Sequence, residues 1–239
     1  MALIPPQALS DLTEHKIDDT CTREHCFYAC DALYCALYDA KPIPPSFPDD
    51  KYPLFVTWNI AHGDDWRLRG CIGNFEPMSL HDGLAKYALI SAFEDSRFRE
   101  IGKSELPRLQ CGISLLTNFE QAESYLDWTI GVHGIYISFP HPSFLESSSE
   151  APSPYSSNPN LPRVTSKQRF TATYLPDVIP EQGWTKIEAI DSAIHKAGWR
   201  GQITEPLRRS IKLERYQSSK CTVTFKEYMN WRKNHDDNS

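Results

Sequence analysis

The sequence predicts an α+β domain with a mainly antiparallel sheet and flanking helices. Three observations carry that reading. Stretches with apolar residues every three to four positions alternate with short runs of β-branched and aromatic residues. The connections between successive strand-like runs are too short for parallel crossovers. The order strand, strand, helix, strand occurs twice, which reads as an internal β-β-α-β duplication around one sheet.

The elements follow in order. Residues 21–39, CTREHCFYACDALYCALYD, carry Cys26, Cys30, Leu33 and Leu37 at steps of three and four, the spacing of a helix with one apolar stripe. PIPPSFPDD (42–50) holds too much proline for regular structure and is a connection. LFVTWNIA is a strand by composition, and the polar HGDDW turns it into a second strand, RLRGCIG. SLHDGLAKYALISAFED is a helix, with Ser79 as N-cap, Asp82 in a near capping box, and Leu80, Leu84, Tyr87 and Ser91 facing inward. A polar link, SRFREIGKSELPRL, leads to the strand QCGISLLTNFE. The second half repeats the order with GIYISF and RFTATYLP as strands, WTKIEAIDSAIHKAG as an amphipathic helix and RRSIKLERY as a strand, before a terminal helix, TFKEYMNWRK.

These elements make one domain over 21–230, preceded by a flexible N-terminus (1–20) and followed by a polar tail (231–239). Residues 141–168 are rich in serine and proline with little to bury, and are expected to be a disordered surface insertion. No secretory leader, myristoylation glycine or prenylation box is recognised. No apolar run approaches the roughly 20 residues a transmembrane helix needs. With 25 Lys+Arg against 31 Asp+Glu the net charge is −6, so no global positive field invites nucleic acid or an anionic membrane, and no DNA-binding motif stands out.

Four of the seven cysteines, Cys21, Cys26, Cys30 and Cys35, fall in the first helix. Cys26 and Cys30 are spaced i,i+4, which suits a metal in principle, but no C-x-x-C knuckle or second Cys/His pair accompanies them. They read as reduced core thiols, which points to a reducing compartment, cytoplasm or nucleus or both. No metal and no cofactor are expected.

The most suggestive stretch is RLRGCIGNF, where a thiol sits between two glycines. Strand alternation puts Leu68, Gly70 and Ile72 on one face and Arg69, Cys71 and Gly73 on the other. Leu68 and Ile72 then face the core, and Arg69 stands beside Cys71, where a guanidinium favours the reactive thiolate. The strand is read as ending at Gly73, facing a helix start. Gly70 and Gly73 either let a ligand approach or permit a bulge, and Cys71 is either a candidate nucleophile or a small packing residue.

LRGCIG (68–73), AFEDSRF (92–98), ELPRLQCGISLLTNFE (105–120), LDWTIGVHGI (126–135), TATYLPDVIPEQGW (171–184) and IKLERY (211–216) resemble, in that order, the AMMECR family, and more its eukaryotic branch. The resemblance spans about Cys21 to Tyr228 outside the Ser/Pro-rich segment. It implies an antiparallel α+β domain with a larger and a smaller lobe, and a functional role for the LRGCIG block; it implies no established biochemical activity. Asn74 stands where threonine is frequent in the family.

Further candidates join that block. Asp95 and Arg97, in EDSRF, either orient a polar substrate or brace a turn. Glu120 is a candidate acid or base if it converges with Cys71. His133, flanked by glycines in GVHG, is a candidate ligand contact or simply a turn residue. The expectation is a pocket at the LRGCIG strand end that binds and modifies a small or nucleotide-like ligand. Cys71 is its nucleophile, Glu120 an assisting group, and Arg69, Gly70, Gly73, Asp95, Arg97 and His133 its binding residues. The competing expectation is a noncatalytic module recognising a protein or RNA partner, through this surface or through Arg208, Arg209, Lys212, Arg215 and Lys220.

Overall fold

The computed structural model describes residues 20–141 and 169–236. The flexible N-terminus and the disordered insertion expected from composition fall, but for Thr20 and His141, outside the described residues. Helix α1 (Arg23–Tyr38) precedes a hairpin, β1 (Lys51–His62) and β2 (Asp65–Ser79), then helix α2 (Leu80–Phe93), a 3-10 turn (Lys103–Arg108) and β3 (Leu109–Gln121). The second half runs β4 (Gly134–Pro140), β5 (Arg169–Tyr174), three helices and β6. Those helices are α3 (Val178–Gln182), α4 (Lys186–Lys196) and α5 (Glu205–Arg209); β6 (Lys212–Thr224) leads into α6 (Phe225–Asp236).

All six strands lie in one antiparallel sheet of order β2-β1-β3-β6-β4-β5. The order has the form of the duplication read from sequence. In the first half β1 is flanked by β2 and β3; in the second β4 is flanked by β5 and β6; β3 and β6 join the halves. Each half owns a core. The larger packs α1, α2 and α6 against Leu54, Val56 and Trp58 of β1 and Cys111, Ile113 and Leu115 of β3. The smaller packs α4 and its neighbours against Ile135, Ile137 and Phe139 of β4 and Leu213 of β6. These are the two lobes.

The thiols of α1 behave as its apolar stripe requires. Cys26 and Cys30 are fully buried beside Cys111, and every cysteine is reduced. A buried ion pair, Asp31 with Arg232, ties α1 to α6, and Tyr228 and the Ile43 amide donate to the same carboxylate. No helix among the described residues is long and apolar enough to cross a membrane.

The structure corrects several boundaries. The last helix continues through Asp236 and buries Arg232, so the polar tail expected from 231 is helical over its first six residues. RRSIKLERY splits, because Arg208 and Arg209 end α5 before β6 begins. The N-cap Ser79 makes no capping hydrogen bond; its hydroxyl donates to Asp49 (2.6 Å), whose same oxygen accepts the His81 amide (2.9 Å). Asp49, thirty residues upstream, supplies the acceptor that Ser79 was expected to be.

Candidate functional site

The LRGCIG block lies inside β2, six residues short of its end, and not at a strand terminus. β2 is an edge strand, paired on one side with β1: Ile72 opposite Val56, Cys71 opposite Thr57, Gly70 opposite Trp58, then Leu68 opposite Asn59. The register slips by one at Arg69, a β-bulge that leaves this residue without a partner of its own. The slip undoes simple alternation. Leu68 falls in line with Asn59 and is 41% exposed, so it does not face the core.

Arg69 is drawn away from Cys71. Its Nε and Nη2 form a fork with Glu105 (2.8 and 3.1 Å), and its remaining donors reach the carbonyls of Arg99 (2.7 Å) and Glu100 (3.1 Å). The guanidinium holds the Glu105 carboxyl below its ordinary range. The expectation that Arg69 and Cys71 share a face is therefore corrected: the bulge separates them, and the arginine anchors the segment between α2 and β3. Gly70 faces α2, where any Cβ would collide with the Ser91 carbonyl oxygen. Gly73 lies under the Phe55 ring.

Asp95 and Arg97 do meet the block, at its backbone. The Asp95 carboxylate accepts the Cys71 amide (2.9 Å), and Arg97 donates to the Cys71 carbonyl (3.1 Å). Arg97 also chelates Asp95 through Nε (2.9 Å) and Nη2 (2.7 Å). The pair closes the open hydrogen-bonding edge of β2 as a neighbouring strand would. Its buried carboxyl is held well below the usual range by Arg97, against the opposing effect of burial. These two residues position Cys71.

Cys71 itself lies opposite Thr57, whose neighbours Val56 and Trp58 are buried in the larger core. Its side chain therefore stands on the face of the sheet turned away from the helices. Thr57 donates its hydroxyl to the sulfur (3.2 Å). Along the same cross-strand row come Gly112 of β3 and Thr222 of β6. Gly112 carries no side chain, and the space a Cβ would take there is flanked by Thr222 Cγ2 (3.4 Å) and Thr57 Cβ (3.8 Å). Lys220 stands on the same face one row along, opposite Ser114. Burial pushes the Lys220 ammonium down from its ordinary value. Asp177, which leads into α3 of the smaller lobe, pairs with Lys220 from above.

The sheet curls toward this face. β2 and β6 are separated by two strands, which in a flat sheet is about 14 Å. Yet Phe75 of β2 and Tyr216 of β6 have ring centroids 6.0 Å apart, and Phe55 and Phe119 extend the cluster at 5.1 and 5.2 Å. A second bulge, with Asn118 at φ 53°, brings Phe119 onto Tyr216. Four rings thus bridge β2, β1, β6 and β3 on this face.

Glu120 and His133 lie elsewhere. Glu120 pairs with Arg215 (2.8 Å), which also holds Asp127 (2.8 Å). It lies eight residues along β3 from Gly112, about 26 Å at strand rise, and does not converge with Cys71. His133 accepts the Thr129 amide (2.9 Å) in its turn, and burial, with Arg215 adding to it, lowers its pKa. Thr57, Gly112 and Lys220 were not grouped with Cys71 from sequence, because they sit on three other strands and only register gathers them. Of the basic C-terminal group, Arg208 pairs with Asp191, Arg209 with Glu205, Arg215 with Glu120 and Asp127, and Lys220 with Asp177.

Comparison with known proteins adds to this geometry. The sequence model of the AMMECR1 family matches residues 26–221. An uncharacterised protein of Arabidopsis thaliana is 44% identical over 210 residues, covering 87% of this chain and 88% of its own. An uncharacterised protein of Schizosaccharomyces pombe is 33% identical over 213 residues, with 87% and 95% covered. The crystal structure of an uncharacterised protein from Pyrococcus horikoshii superposes with a TM-score of 0.58 at 23% identity, covering 83% of this chain and 89% of that one, and shares the fold.

Proposed function

This chain belongs to the AMMECR1 family, and we propose that it binds a small or nucleotide-like ligand on the sheet face around Cys71 and acts on it through the sulfur. The observation that carries the reading is the setting of one thiol. Cys71 lies on the face opposite the larger core, hydrogen-bonded by Thr57 and one row from Lys220, while Cys21, Cys26, Cys30, Cys111 and Cys221 pack in the larger core and Cys35 contacts Asp31. Phe75 and Phe119 offer aromatic surface to a planar group, and Lys220 and Arg97, each paired with a carboxylate, offer hydrogen-bond donors to a polar one.

In the proposed step the Cys71 thiolate attacks an electrophilic carbon. The bond to the leaving group breaks as the S–C bond forms, and the Lys220 ammonium supplies the departing group's proton. No cofactor enters this scheme. The reduced thiols support a reducing compartment, cytoplasm or nucleus. The pairing of the C-terminal arginines with carboxylates counts against an RNA-binding face on β6.

Limiting iodoacetamide at pH 7, followed by peptide mass spectrometry, tests the nucleophile. Cys71 should label ahead of the other six cysteines, and Lys220→Met and Thr57→Val should each slow it several-fold. A panel of nucleoside mono- and diphosphates should raise the melting temperature of the wild-type chain and not of Lys220→Met. Labelling of Cys71 no faster than Cys35 removes the nucleophile, and a panel without any shift removes the nucleotide-like ligand.

A further inference from the structure

On the helix-covered side, remote from Cys71, the end of α1, the 3-10 turn and α6 enclose a cleft of about 550 Å³. Its floor is apolar, formed by Tyr34, Leu106, Phe225 and Met229; its rim carries Tyr38, Lys226 and Lys233. Tyr38 is 47% exposed, and the Lys103 ammonium sits 4.8 Å from its ring centroid. Three cations therefore border an apolar floor in a protein of net charge −6.

None of Lys103, Lys226 and Lys233 has a carboxylate partner among the described residues. Two nearby acids are otherwise engaged, since Glu105 holds Arg69 and Glu227 holds Arg23 and the Thr224 hydroxyl and amide, while Asp236 and Asp237 follow Lys233 in sequence by three and four residues. Asp39 adds one negative charge at the α1 end. Lys226 and Lys233 are two helical turns apart on one side of α6, about 10 Å. Carboxylates three residues apart in a polyproline II peptide, which has three residues per turn, lie on one side at about the same separation. Tyrosine, phenylalanine and methionine are side chains that protein interfaces favour, and methionine adapts to varied apolar anchors. Three cations are too few to hold a nucleic acid against a net negative protein.

We propose that this cleft docks a short acidic peptide segment of a partner protein. An aromatic or leucine side chain enters the floor, and flanking Asp or Glu residues pair with Lys103, Lys226 and Lys233. The site does not depend on the chemistry at Cys71.

The test is panning of a random 12-residue phage-displayed peptide library on the full chain, followed by fluorescence anisotropy with an enriched peptide. Enriched sequences should combine Asp or Glu with Leu, Phe or Trp. The Lys226→Glu/Lys233→Glu double variant should weaken the peptide at least about tenfold and lose the salt dependence that the wild-type affinity shows. Tyr38→Ala should weaken it several-fold. All three positions are exposed, and unchanged Cys71 labelling and melting temperature verify folding. Failure to enrich acidic peptides, or an affinity indifferent to the lysine reversal, overturns the proposal. So does lysine-dependent binding of a 12-nucleotide RNA or of dodecanoate with no peptide enriched, which assigns the cleft to another class of ligand.

Discussion

Cys111 and Cys71 belong to the same sheet, with only β1 between their strands, and face opposite sides of it. Cys111 is fully buried against Cys26 and Cys30, and burial pushes its thiol well up. Cys71 is half-buried, with a hydroxyl donated to its sulfur. Residue type is the same and role is not. On the covered side a thiol is a small hydrophobe that fills a gap; on the other it lies in a row with Thr57 and Thr222 and accepts a hydroxyl hydrogen bond. At these two positions the face of the sheet makes the distinction.

The contrast is broken most severely at the buried ion pair. Asp31→Ala leaves the Arg232 guanidinium buried without its counter-ion, and should lower the unfolding free energy by about 3–5 kcal/mol in urea. Lys220→Met, on the Cys71 side, should change it by no more than about 0.5 kcal/mol. Equal losses would mean that the Cys71 face is as integral to the fold as the covered one.

Glycines sharpen the same comparison. Gly70→Ala drives a methyl group into the Ser91 carbonyl and should cost about 1–3 kcal/mol. Gly112→Ala meets nothing nearer than Thr222 Cγ2 at 3.4 Å and should cost under about 1 kcal/mol, while slowing Cys71 alkylation by adding bulk to its row. Similar melting losses would put the two glycines on equivalent faces.

The smallest effect is a pH dependence. His25, at the third position of α1, accepts the Thr22 amide on Nδ1 (2.9 Å) and is buried beside Phe47. Burial lowers its pKa. The unfolded chain therefore binds more protons than the native one as pH falls below about 6.5, and stability must decline there. His25→Gln should flatten the urea midpoint between pH 7 and 5. His133, also lowered, contributes in the smaller lobe, and His133→Gln should remove a separate part. An unchanged pH profile in both variants would place the acid sensitivity elsewhere.

Much of the fold was legible because local rules acted without competition. The three-to-four spacing of Cys26, Cys30, Leu33 and Leu37 made α1, and the repeated strand-strand-helix-strand order reappears as two matching halves of one sheet. The AMMECR resemblance and the family match over 26–221 agree. Errors arose where one residue altered a local rule. The bulge at Arg69 inverted the alternation behind it, exposing Leu68 and sending Arg69 to Glu105. Asp49 capped a helix that Ser79 was placed to cap, because a carboxylate carried there by the fold is as good an acceptor as a hydroxyl carried there by sequence.

The amino-acid order alone determined the main helices and strands, their antiparallel character and the singling out of Cys71. These follow from side-chain periodicity and backbone preference within about twenty residues. What stands around Cys71 was decided by tertiary structure: Thr57 and Lys220 present, Arg69 and Glu120 absent, Asp95 and Arg97 gripping its backbone. Cross-strand register and sheet curl bring together residues more than a hundred positions apart, and no spacing along the chain encodes which pairs will meet.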